Sequence, residues 1–319
     1  MRLASIDIGT NTLRLLIAET DGGLLRPFLY RRAITRLGGR FTDAGGIDRT
    51  AAERTFAALS DFRKILSDNE GVAGVSAVAT SVVRRARNRD WFLSEVKKRT
   101  GFNVEVISGE EEARLTSLGV MGVIEDSRHK RLVMDIGGGS TEFIATEDGH
   151  IRGVWSMEMG VVHLTERFLK TDPPCFDQLK GLDDEVRDVI RQLKGSMFRE
   201  GIDPVEYCES RGALLIGTAG TITTLAAMDQ RMETYDRDKI NNYTLSLEKV
   251  KSMYEYLSGL ALKEREKVLP LEKGREDLII PGAAVTCIVM ESFGFFHIKV
   301  SDAGLLEGIV LRDGASAGR

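Results

Sequence analysis

The chain has 319 residues, 42% hydrophobic and 29% charged, enough apolar material for two buried cores and too much for a disordered protein. Its net charge of −4 is uneven, with 19 basic and 16 acidic residues over 1–125 against 25 and 32 over the rest. A mildly basic first portion suits a small anion, whereas a nucleic-acid duplex calls for a domain pI above about 9. The apolar stretches 213–228 and 278–290 carry Thr, Gly or Pro and fall short of the ~20 apolar residues of a membrane span, so no membrane is expected. A strand aspartate by residue 7 leaves no room for a signal peptide, and Cys175, Cys208 and Cys287 lack ligand spacing. The expectation is a soluble, cytoplasmic globular protein.

The first predicted elements are a strand ending at Asp7, a Gly9-Thr10-Asn11-Thr12 turn and a second apolar strand, then a turn at Asp21-Gly22 and a third strand. Thr50-Ala51-Ala52-Glu53 reads as a capping box opening a helix with Ala52, Phe56, Leu59, Phe62 and Leu66 on one face. A strand over 75–80, a helix over 90–99 and a strand over 103–108 follow. Ser108-Gly109-Glu110-Glu111 then opens a helix reaching about Ile124. The polar stretch 125–130 is placed as a hinge.

At Met134-Asp135-Ile136-Gly137-Gly138-Gly139-Ser140-Thr141 the opening motif returns, 128 residues later and with one extra glycine. Glu142-Phe143-Ile144-Ala145 continues it as a strand, and Asp148-Gly149 repeats the next turn. Beyond lie a helix over 176–198 broken by glycines, a strand over 213–217, and helices near 222–228 and 247–257. A helix over 282–292, a strand over 297–300 and a terminal helix over 304–312 close the chain. Alternating strands and helices around a duplicated three-strand unit predict two similar layered α/β domains facing one another across a cleft. Their bounds are 1–124 and 131–319, with the terminal helix able to pack back toward the first domain.

A Gly-rich turn after a strand offers several backbone N–H groups to one anion, and glycine lets a phosphate approach closely. Thr10, Asn11 and Thr12 in one copy, and Gly137, Gly138, Gly139, Ser140 and Thr141 in the other, are therefore phosphate-binding candidates. Asp7 and Asp135, at the mouths of these turns, can hold Mg²⁺ or its waters beside a phosphate. A plain tight hairpin explains one copy as well, but two copies in register favour a shared ligand. Gly217, Thr218, Gly220 and Thr221 lie between a strand and a helix, where an N-terminus attracts an anion. Small residues packing a turn are the competing account. Seven cations face two acids between 84 and 99, and most of them read as a solvated surface. His129, His150, His163 and His297 have no zinc spacing.

The ordered blocks DIGTNTLRLLIAE, ATSVVRRARN, ISGEEEARL, LVMDIGGGSTEFI, GTAGTITTLAAM, REDLIIPGAAV and VSDAGLLEGIVL resemble the exopolyphosphatase/guanosine pentaphosphate phosphatase family. They run from residue 3 to about 313. Hydroxyls are kept where Thr10, Thr12 and Thr218 replace the family's frequent serines. Longer members carry a further helical C-terminal region, and a short, two-domain form is expected here. The resemblance implies two ribonuclease-H-like domains of the actin/Hsp70/sugar-kinase superfamily.

It also implies that Glu112 is the catalytic base activating water, that Glu142 is a second acid joining Asp135 at Mg²⁺ or Mn²⁺, and that Arg84 grips a substrate phosphate. Glu110 and Glu111 read as acids stabilising a helix first turn. The implied reaction is release of terminal orthophosphate from inorganic polyphosphate, with guanosine pentaphosphate hydrolysis as the alternative. Two other classes stay open: a small-molecule kinase of the superfamily, and a non-catalytic nucleotide sensor. Neither substrate preference nor oligomeric state, a homodimer included, is legible in these residues.

Overall fold

The structure, a computed structural model, describes residues 1–21, 24–42, 44–268 and 274–317. The chain divides into two units, Met1–Gly122 with Gly304–Arg319, and Val123–Ala303. Each has its own sheet and core.

In the first unit β1 (Arg2–Ile8), β2 (Thr12–Asp21) and β3 (Leu24–Ile34) form an antiparallel meander, because apolar runs follow one another closely in the chain and the turn after Ile8 folds the second back on the first. Gly22 of the expected Asp21-Gly22 turn lies outside the described residues. Helix α1 (Arg49–Asp68) then returns the chain so that β4 (Val72–Ala79) pairs parallel with β1. Its cap is Asp48, whose carboxylate accepts from the Ala51 amide at 3.0 Å, two residues before the expected Thr50. Glu53, expected to complete the box, instead ion-pairs with Arg99 at 2.6 Å. The short α2 (Ser81–Arg85), α3 (Arg89–Thr100) and β5 (Val104–Val106) lead to α4 (Gly109–Met121). Ser108 caps α4 as expected, accepting from Glu111 N–H at 3.1 Å. The strand order is β3-β2-β1-β4-β5.

The second unit repeats this plan. β6 (Lys130–Ile136), β7 (Thr141–Glu147) and β8 (His150–Met157) are the meander, followed by α5 (Val161–Phe168) and α6 (Phe176–Arg199). Gly181 and Gly195 do not interrupt α6. A glycine costs a helix only about 1 kcal/mol, less than the burial of Leu182, Val186, Ile190, Leu193 and Met197 along one face contributes. β9 (Leu214–Thr218) pairs parallel with β6, and α7 (Gly220–Asp229) follows it. Then come α8 (Arg237–Ile240), β10 (Thr244–Ser246), α9 (Leu247–Ser258), α10 (Leu262–Arg265), α11 (Ile279–Phe293) and β11 (His297–Val300). The sheet order is β8-β7-β6-β9-β11-β10, the first sheet's order with one added edge strand. Both sheets thus have the expected ribonuclease-H-like arrangement, three antiparallel strands continued by parallel ones. The polar stretch expected to be a hinge is tied into this unit. Glu125 N–H donates to Asn242 Oδ1 at 2.8 Å, and Lys299 Nζ donates to the Glu125 carbonyl at 2.7 Å.

The terminal helix α12 (Leu305–Ala317) belongs to the first unit and crosses α4 at backbone contact. A Cβ on Gly308 would lie 1.8 Å from the Leu115 carbonyl, and one on Gly119 would lie 2.0 Å from that of Gly304. Ser5 Oγ donates to the buried Leu306 carbonyl at 2.9 Å, fixing α12 to β1 as well.

Candidate active site

The two duplicated turns have the same local geometry. Gly9 N–H donates to Thr12 C=O at 3.1 Å, and Gly137 N–H donates to Ser140 C=O at 2.9 Å. A side chain on either glycine would meet that same carbonyl, at 2.9 and 2.8 Å, which accounts for glycine at both positions. Each turn is also pinned from behind. The amides of Gly38, Thr35 and Arg36 donate to the carbonyls of Thr10 and Asn11. Those of Val161 and Val162, at the start of α5, donate to the carbonyls of Gly137 and Gly138. In a planar trans peptide the C=O and the following N–H point in opposite directions. Each pinned carbonyl therefore aims the next amide outward, so that Asn11 and Thr12 in one unit, and Gly138 and Gly139 in the other, present consecutive N–H groups to an anion.

The aspartates differ in what stands opposite them. Asp7 on β1 faces Arg14 on β2 and is nearly wholly buried. Its Oδ2 accepts from Arg14 at 2.6–2.8 Å, while its buried Oδ1 has no hydrogen-bond partner. Asp135 on β6 faces Glu142 on β7, and Glu142 faces Ser156 on β8, whose hydroxyl donates to Glu142 Oε1 at 2.7 Å. Both carboxylates are buried, at 8% and 1% exposure. Directly opposed residues of an antiparallel pair share a face about 5 Å apart, where two like charges repel. A cation relieves that repulsion. The pair fits Mg²⁺, which takes one or two carboxylates and fills its other positions with water and phosphate oxygens. Among the described residues no group of three or more His, Cys, Asp and Glu side chains could hold a metal.

Glu112 lies in the first turn of α4, 9% exposed, where Arg84 of α2 holds it. Arg84 Nη1 donates both to Glu112 Oε2 at 3.1 Å and to the Ile107 carbonyl at 3.0 Å. Arg84, expected on a substrate phosphate, and Glu112, expected on water, are bonded to each other through Nη1 and Oε2.

Two hydroxyls expected on phosphate face elsewhere. Thr141 Oγ1 donates to the Met159 carbonyl at 2.6 Å and Thr218 Oγ1 to that of Ala303 at 2.9 Å, which engages the one proton each can donate. Gly217 packs within the sheet against Ile298 and Ile222. Ser140 is buried in its turn, and Gly220 and Thr221 begin α7 just after Ala219, a non-glycine residue at φ +74°. The Arg275 guanidinium rests against Gly220 so closely that a Cβ there would fall 1.6 Å from Nη1. Sequence reading assigned no role to Arg14, Arg275 or the 35–38 segment. Arg14 and Arg275 lie inside two of the blocks that carry the family resemblance, and Gly38-Gly39 is a turn signal, but none of these says what the residues touch. Of the basic run, Arg99 pairs with Glu53 and Glu95, and Arg85 lies over the Phe41 ring.

A model of the Ppx/GppA phosphatase family matches residues 16–316. Exopolyphosphatase 2 of Mycobacterium tuberculosis is 33% identical over 97% of this chain and 98% of its own. The crystal structure of the Aquifex aeolicus Ppx/GppA family member superposes with a TM-score of 0.82 at 32% identity, covering 100% of this chain and 99% of that one. A Cytophaga hutchinsonii exopolyphosphatase structure gives 0.87 at 30% identity, over 98% of both chains. The chain belongs to the Ppx/GppA phosphatase family. It is a hydrolase acting on phosphoanhydride bonds, and among the described residues no helix is long and apolar enough to cross a membrane.

Proposed function

We propose that the protein is an exopolyphosphatase that removes terminal orthophosphate from linear inorganic polyphosphate, with Glu112 as general base. The observation that carries this reading is a buried carboxylate, held by an arginine, in the same unit as a phosphate-type turn. Hydrolysis needs a water in line with the terminal phosphorus and a base to take its proton. Glu112 accepts that proton as the water oxygen bonds to phosphorus, and the P–O bond to the shortened chain breaks, its electron pair leaving on the bridging oxygen. Outward amides at Asn11–Thr12 in one unit, and at Gly138–Gly139 in the other, are each suited to stabilise negative charge on a phosphate oxygen without reorganising.

Asp135 and Glu142 are the residues of the second unit that would hold Mg²⁺ or Mn²⁺, and Asp7 Oδ1 is a separate candidate oxygen ligand in the first. Such an ion, when bound, neutralises phosphate charge. The reading places the protein in the cytoplasm, where its substrate is soluble polyphosphate.

The test is turnover by the purified protein and its Glu112→Gln variant on polyphosphate and on guanosine pentaphosphate, side by side. Polyphosphate turnover that falls roughly 10²–10⁴-fold in the variant supports the reading. Preferential turnover of guanosine pentaphosphate transfers the same chemistry to that substrate. A variant keeping a third of the activity removes Glu112 from the role of base.

A further inference from the structure

The segment that pins the first turn contains an inversion of the usual residue choice. Its sequence is Thr35-Arg36-Leu37-Gly38-Gly39-Arg40, and it offers two glycines. Yet the positions with left-handed backbone are Arg36, at φ +49°, and Arg40, at φ +62°. Gly38 is required for another reason, since a Cβ there would lie 2.3 Å from Thr10 Cγ2. Glycine therefore stands where contact forbids a side chain, and arginine stands where the backbone favours glycine. A non-glycine residue is uncommon there and strained, and such residues cluster at ligand clamps. Arg231, the third arginine with positive φ, follows the end of α7, where a left-handed residue is an ordinary helix stop.

The surroundings over-determine this conformation. Leu37 is fully buried. Arg54 donates from Nε to the Thr35 carbonyl at 2.9 Å and from Nη2 to the Arg36 carbonyl at 3.3 Å. Arg36 N–H itself donates to Asn11 C=O at 2.9 Å, which ties the arginine's backbone to the phosphate-type turn. Both arginine side chains are nonetheless exposed.

We propose that Arg36 and Arg40 are substrate-specificity residues that bind phosphate groups next to the one being hydrolysed. This rests on the reading of the protein as a polyphosphate hydrolase. The arginines select for an extended polyanion over a short phosphate ester, because guanidinium groups pair with successive phosphates along a chain. The pinned backbone at Arg36 is already ordered before binding, so only the side chains remain to be fixed.

The experiment uses the full chain and the variants Arg36→Gly, Arg40→Gly and the double, with Arg36→Lys as the conservative control. Glycine removes the charge and relieves the strained backbone, so each variant keeps or raises the melting temperature. The KM for long polyphosphate rises roughly tenfold per arginine removed, and the effect falls on KM rather than kcat. Arg36→Lys restores part of the loss. Binding of tripolyphosphate and of long polyphosphate, measured by calorimetry, weakens in parallel and shows a shallower salt dependence. If the wild type cleaves polyphosphate and the double variant, stably folded, binds and cleaves it equally well, the inference fails while the proposed activity stands. If the wild type neither binds nor cleaves any phosphate chain, both fail. Arginine-dependent binding without cleavage keeps the inference and overturns the activity.

Discussion

Arg84 Nη1 lies 3.1 Å from Glu112 Oε2 and, through the same nitrogen, 3.0 Å from the Ile107 carbonyl. Two residues separated by 28 positions are thereby locked to a backbone atom just before α4. A carboxylate held this way has a fixed face toward any water it activates. Arg84→Ala is expected to lower kcat by roughly 10–100-fold, the scale on which a misplacement of about 1 Å acts. In the Glu112→Gln background the same change costs little, because the two act as one unit. Additive losses measured in that double-mutant cycle would place Arg84 on the substrate independently of the base.

A metal requirement is the expected consequence of Asp135 and Glu142 facing each other across β6 and β7. Activity is expected to vanish in EDTA and to return with Mg²⁺ or Mn²⁺, the hard cations suited to oxygen ligands. Glu142→Gln weakens the metal requirement's midpoint by at least tenfold, and because it also removes one of two opposed charges it does not lower the melting temperature. A metal titration followed by both activity and thermal shift reads these two effects separately. Full activity in chelator removes the cation from the reaction.

Gly308→Ala addresses the buttress of α4. The added methyl would overlap the Leu115 backbone at 1.8 Å, and a backbone cannot rotate away as a side chain can. The expected loss is about 3 kcal/mol in urea unfolding, accompanied by a fall in kcat as α4, which carries Glu112, is displaced. An unchanged urea midpoint would show that the two helices do not cross at this contact.

Alkaline pH should loosen the second unit. Burial, with Glu291 nearby, pushes the Cys287 thiol up to about 11, and burial together with the Asp229 acceptor raises Tyr243 to about 12. In the unfolded chain these groups ionise near 9 and 10, so between those values and the raised ones the unfolded state binds fewer protons. Stability is therefore full below pH 9 and is lost as pH rises toward 12. Urea midpoints from pH 8 to 11 should fall, and Cys287→Ala should remove the part of the fall that begins near pH 9. At pH 8 iodoacetamide should modify exposed Cys175 and leave buried Cys287 untouched.

The duplicated Asp-Ile-Gly motif was enough to read the three-strand meander of each sheet, because a strand, a glycine turn and a strand are local and each copy carries its own signal; the short edge strand Thr244–Ser246 was not foreseen. The positions of Asp7, Asp135 and the two turns came with it. What stands opposite each aspartate did not, since register couples Asp7 to Arg14 and Asp135 to Glu142 only once the strands pair. The Arg84–Glu112 bond escaped for the same reason, being a contact between two helices. Thr141 and Thr218 were legible as hydroxyls but not as hydroxyls turned toward Met159 and Ala303. The 35–38 segment has neither helical nor strand period, so its hold on the first turn had no pattern to announce it. Asp48 preceded an equally plausible Thr50, and only the backbone bend decides which one caps.

The return of α12 has a consequence for the order in which the molecule can be made. Val123–Ala303 is one continuous stretch and completes its own core as soon as it has left the ribosome. The first unit, begun earlier, lacks the helix that covers Leu3, Leu16 and Ala18 on one side and Val78, Ile107 and Leu115 on the other. Those six side chains face water until Leu305, Leu306, Ile309 and Val310 are translated. The half that carries Glu112 is thus the first to be synthesised and the last to close, and an apolar seam stays open in the nascent chain for the time it takes to add about 180 residues.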